Sequence, residues 1–138
     1  MKAVIRVLAL PVALIGSLLS VPALAGNIDA DLFGGNCSGV ARELHDLMRA
    51  NPESLCVGDL DVASAFIESA DVNLRRDKIT EALASIDKGA YELTDISFNR
   101  THCQSLAPGV KHVLADLIRV RGEIEAFMRL RIKAQVTH

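Results

Sequence analysis

Apolar residues recur every three or four positions along most of this chain, and nowhere do they alternate with polar ones for the length of a strand. A repeat near 3.6 belongs to helices that hide one face, whereas strands repeat every second residue. Val40, Leu44, Leu47 and Met48 predict a first helix. Asn36 or Ser38 would cap it, and it should stop by Asn51, because Pro52 disfavours helical geometry in the residue before it. Leu60, Ala63, Ile67, Ala70 and Leu74 predict a second helix that starts at Asp59 or Asp61 after the Gly58 break. Ile79, Leu83, Ile86, Ala90 and Leu93 predict a third, from about Asp77 to Phe98, with Gly89 as its weak point. Nothing between residues 71 and 78 breaks a helix strongly, so one long bent helix is the alternative to two.

The final segment opens near Pro108, where a missing N–H costs nothing in a first helical turn, and runs to about Ala134. Val110, Leu117 and Ile124 lie seven apart, as do Val113, Val120 and Phe127, which gives the helix a heptad-like seam. Four amphipathic segments joined by short loops predict an all-α fold: a small antiparallel bundle of about four helices with a long C-terminal helix.

The first 25 residues depart from this pattern. Lys2 and Arg6 precede the apolar run Val7–Leu19, and Val21-Pro22-Ala23-Leu24-Ala25 ends in a small-x-small motif, the three-part layout of a secretory signal cut after Ala25. Pro11, Gly16 and Pro22 argue against reading the same run as a membrane anchor, which needs about 20 apolar residues. The expected organisation is a cleavable signal peptide over 1–25, a flexible lead over 26–36 and a single helical domain over 37–138. The expected location is periplasmic or secreted, with no membrane span once the signal is removed.

Charge changes the picture next. Without the leader, 13 basic residues face 17 acidic ones, and the imbalance is uneven: residues 26–108 carry 14 acidic and 7 basic, whereas 109–138 carry 3 acidic and 6 basic. Arg119, Arg121, Arg129, Arg131 and Lys133 on the last helix can therefore face the acidic remainder of the same chain or form a basic surface for an acidic partner. Nucleic acid is not an expected partner, given the acidic balance and a chain with no Trp, one Tyr and four Phe. The same scarcity of aromatics predicts a core of Leu, Ile, Val and Ala.

Three cysteines follow the leader, and an oxidising compartment should pair two of them. An up-and-down bundle brings the loop between helices one and two to the same end as the loop between three and four, and those loops hold Cys56 and Cys103. A Cys56–Cys103 disulfide is therefore predicted, with Cys37 a free thiol at the start of helix one. Cys37 with Cys56 is the alternative if the chain doubles back. The free thiol would be buried, or, if exposed at a helix N-terminus, reactive or bridged to another chain.

Candidate chemistry is sparse. His45, His102, His112 and His138 form no zinc-finger spacing with the cysteines, and no metal site or cofactor is expected. Covalent haem would need Cys-x-x-Cys-His, which is missing, and a haem held by Met48 or Met128 with His112 rests on ordinary helical positions. No Gly-x-Ser-x-Gly, His-Glu-x-x-His or phosphate-cradling glycine loop occurs, and Gly34-Gly35-Asn36 reads as a helix entry rather than an anion site. The chain is not expected to be an enzyme. The leading expectation is an exported protein that binds another protein through an exposed helix face or the Asp59 to Arg76 region, as an immunity or inhibitor protein or an accessory factor of secretion or conjugation does. A small-molecule, haem or metal carrier and a periplasmic acid-stress chaperone are the alternatives.

Overall fold

The computed structural model describes residues 23–137; the predicted signal peptide lies outside them except for its last three residues. Four helices follow one another: α1 (Ala23–Ala50), α2 (Val57–Arg75), α3 (Ile79–Phe98) and α4 (Ala107–Val136), with a 3-10 turn at Thr101–Cys103 before α4. No strand occurs among the described residues. Each helix packs on the next in sequence and α1 closes against α4, an up-and-down bundle. The periodic residues are the buried ones: Leu44 on α1, Leu60 and Ile67 on α2, Ile86, Leu93 and Ile96 on α3, and Val110, Leu117, Val120 and Ile124 on α4 have no exposed surface. Each such side chain contributes about 1.5–3 kcal/mol through burial. Every buried side-chain nitrogen or oxygen among the described residues has a partner; the Ser97 hydroxyl, for example, donates to the Leu93 carbonyl at 2.6 Å.

Gly89, the weak point of helix three by propensity, sits where α2, α3 and α4 meet. A Cβ there would lie 3.1 Å from Ile67 Cγ1 and 3.6 Å from Leu117 Cδ2, so even an alanine methyl would require Ile67 to give by a few tenths of an ångström.

Helices α2 and α3 are separate. Asp77 adopts a left-handed conformation (φ 55°). Its N–H donates to the Leu74 carbonyl at 2.9 Å, and the Lys78 N–H donates to the Asn73 carbonyl at 2.9 Å. This pair of bonds is a Schellman stop, usually built on glycine, and aspartate is among the few other residues that tolerate it. Arg131 of α4 reinforces the turn, its Nη1 donating to Asp77 Oδ1 at 2.7 Å. Asp77→Gly and Asp77→Ala both lose that ion pair, yet only alanine keeps the steric penalty. Asp77→Gly is therefore expected to unfold at a higher urea midpoint than Asp77→Ala, by about 1 kcal/mol in free energy; equal midpoints would show that the backbone carries no strain there.

Residues 26–36, expected as a flexible lead, are helical and extend α1. The reason lies in the length of α4: at 1.5 Å per residue its 30 residues reach about 45 Å, well past the 19 and 20 residues of α2 and α3. The projecting turns of α1 and α4 cover each other, with Phe33 and Phe127 rings 5.4 Å apart. Asn36 and Ser38 consequently do not cap a helix. They bridge to neighbours instead, Asn36 Nδ2 donating to Glu123 Oε2 at 3.5 Å and Ser38 Oγ to Asp71 Oδ2 at 2.7 Å.

Candidate functional site

Cys56 and Cys103 form a disulfide with Cα atoms 5.0 Å apart. Both sulfurs are fully buried at the end of the bundle where the α1–α2 and α3–α4 connections meet. Around the bridge lies a network centred on Arg100, which pairs with Asp59 in the first turn of α2, with Glu92 Oε2 at 3.0 Å and with Asp95 Oδ2 at 2.8 Å on α3. His102 Nε2 reaches Asp59 Oδ2 at 2.7 Å. Hydrogen bonds from Asn99 and Arg100 hold the Asp95 carboxyl below its ordinary pKa. The stability it contributes is present above the unfolded carboxyl pKa of about 3.9 and is lost as pH falls through the lowered folded value.

Cys37 is free and buried, but it does not begin a helix: it lies in the middle of α1. No helix N-terminus acts on it, and burial, assisted by the negative charge of Asp71, pushes its thiol up to about 12. In the folded protein at pH 8 it should not react with an aromatic disulfide reagent on a timescale of minutes. Release of one thiol equivalent only after denaturant is added is the expected result, and stoichiometric reaction without denaturant would overturn it.

The five basic residues singled out on α4 divide. Two reach across to other elements: Arg121 Nε donates to Asp87 Oδ1 of α3 at 2.6 Å, and Arg131 secures Asp77. Arg119 pairs along its own helix with Asp116 at 3.2 Å and Glu123 at 3.0 Å, and Arg129 lies 3.9 Å from Glu125. Lys133 has no ion-pair partner among the described residues. Charge compensation within the chain thus takes up much of the predicted basic surface. Asp59, the start of the other predicted contact region, is likewise engaged by Arg100 and His102.

An apolar face also stands in solvent. Tyr91 and Phe98 are 71% and 61% exposed, and two helical turns separate them on one face of α3. Lys111 of α4 lies 4.4 Å over the Phe98 ring, which aligns the two helices in register there. Ile118, two turns after Lys111 on antiparallel α4, therefore lies level with Tyr91, and it is 55% exposed. The sequence contained this face only as residues left off the periodic stripes; nothing in it said that the leftover positions of two helices would adjoin.

A groove of about 340 Å³ lies between α1 and α4, lined by Glu43, Asp46, Leu47, Gly109, His112 and Val113. The residues weighed as haem ligands do not converge. Met48 is buried near the disulfide end, Met128 lines a groove with Asp77 and Glu81 at the other end, and the His112 side chain is 76% exposed. Among the described residues no helix is long and apolar enough to cross a membrane. No family model, curated protein or solved structure matches this chain.

Proposed function

We propose that this chain is a non-catalytic exported protein, periplasmic or secreted, that acts by binding another protein through the outer α3–α4 face. The observation that carries the reading is the side-by-side exposure of Tyr91, Phe98 and Ile118. Of only five tyrosine and phenylalanine side chains in the chain, two stand in solvent on one face. Leaving an aromatic ring there forgoes burial worth about 1.5–3 kcal/mol. Interface cores favour aromatic residues and exclude charge, with a polar rim, and Arg121, Glu125 and Arg129 supply such a rim on α4. A disulfide-stapled bundle keeps the surface rigid, so little ordering entropy opposes association. The role proposed is that of an immunity or inhibitor protein, or of an accessory factor of a secretion or conjugation system.

Transport of a small molecule in the bundle core is less well supported. A ligand pocket takes about 300–1,000 Å³, whereas the cavity between Phe33, Leu74, Ile124 and Phe127 measures about 10 Å³, room for about one water.

A photo-reactive phenylalanine analogue placed in turn at Tyr91, Phe98 and Ile118 tests the reading in cells that produce the full chain. One adduct of constant mass from all three positions is expected, with none from Val72 on the outside of α2, which is 45% exposed. Equal labelling from Val72 would sink the proposal. Adducts of the chain with itself alone would replace it with self-assembly.

A further inference from the structure

We propose that Glu43 of α1 with His112 and Asp116 of α4 forms a binding site for a divalent transition cation of the Zn²⁺ class, open to the α1–α4 groove. His112 and Asp116 are four residues apart, so they project from the same face of α4, and His112 Nε2 lies 3.5 Å from Asp116 Oδ2. Glu43 meets them from the antiparallel α1, and one ligand atom from each of the three falls within 4.8 Å of the others. Tetrahedral metal bonds of about 2.0–2.2 Å set ligand atoms about 3.3–3.6 Å apart. From a spread of up to 4.8 Å the atoms need to close by about 1 Å, and Glu43 and His112 are exposed side chains with room to rotate.

The donor set selects the ion. One imidazole with two carboxylates suits Zn²⁺ and its neighbours, whereas Mg²⁺ and Ca²⁺ take oxygen ligands alone. Three protein donors leave at least one coordination position, and the groove over the cluster admits water or an external donor to fill it. Asp46 also lines the groove, its carboxylate paired with Arg49. Arg119 opposes the ion: its guanidinium holds Asp116 Oδ1 at 3.2 Å and Glu123 Oε1 at 3.0 Å, leaving Asp116 Oδ2 turned toward His112. The site is separate from the α3–α4 face and does not depend on the partner-binding reading.

Equilibrium dialysis of the full chain, disulfide intact, against Zn²⁺ alone provides the test, with millimolar Mg²⁺ as competitor. One Zn²⁺ per chain is expected, undisplaced by Mg²⁺. His112→Ala, Glu43→Gln and Asp116→Asn should each weaken binding at least about tenfold. Arg119→Gln should tighten it, an outcome that no loss of structure can produce. Glu43 and His112 are exposed, so their variants keep the fold, which circular dichroism verifies. His45→Gln and His102→Gln, which alter the other histidine–carboxylate pairs, should leave binding unchanged. Zn²⁺ uptake that is absent, that survives His112→Ala, or that disappears with His45→Gln or His102→Gln would overturn the assignment.

Discussion

Replacing Cys56 and Cys103 together by serine is expected to lower the unfolding free energy by about 4 kcal/mol, the largest loss available from so small a change. The bridge spans a sequence separation of 47, and in the chain-entropy account closing a loop of that length removes about 4 kcal/mol of denatured-state freedom. A domain of this size has about 5–15 kcal/mol in total, so the double variant should sit close to its unfolding threshold at 37 °C. Urea titrations of the oxidised parent and the variant, compared by midpoint and slope, measure the difference. A loss under about 1 kcal/mol would mean that helix packing and the Arg100 network already restrict the same segments. The Arg100 network joins α2 and α3 close to the bridge, and Asp59 and His102 link it to the 3-10 turn. Before global unfolding, this end of the bundle should open first in the variant, seen as faster hydrogen exchange at the Thr101–Cys103 turn.

Leu117→Ala is expected to cost about 3 kcal/mol, within the range of 2–5 kcal/mol found when a buried leucine is truncated. Leu117 has no exposed surface, and its Cδ2 approaches the bare backbone of Gly89. Gly89 brings no side chain to that contact that could move into the space. The measurement is a thermal or urea midpoint at unchanged helical signal. Ile118→Ala, one residue away but exposed, should change stability by less than about 0.5 kcal/mol. Equal losses at the two positions would contradict the burial pattern on which the bundle rests.

Much of the architecture was legible along the chain. The apolar stripes of α2, α3 and α4 coincide with the buried faces, and antiparallel topology alone selected Cys56 and Cys103 from three cysteines. One feature misled and one stayed open. The segment before Asn36 has two adjacent glycines and no strong stripe, so it read as a lead, whereas the overhang of α4 gives Phe33 an aromatic surface to cover. The α2–α3 turn carries no glycine or proline, and its stop depends on Asp77 entering a conformation that few residues adopt. The candidate sites were less legible still. His112 and Asp116 show a helical spacing, but Glu43 joins them only across the α1–α4 seam. The exposure of Tyr91, Phe98 and Ile118 likewise depends on which positions the bundle leaves outside.

By itself the sequence determined the helices, their order and the pairing of the two loop cysteines, because periodicity and loop placement are properties of a chain read in one dimension. The tertiary structure alone decided which basic residues are neutralised, that α1 begins far ahead of its expected cap, and where aromatic and metal-ligating side chains gather. These depend on how far antiparallel helices overlap and which flanks they turn toward each other, and lateral neighbours of that kind leave no repeat in the sequence.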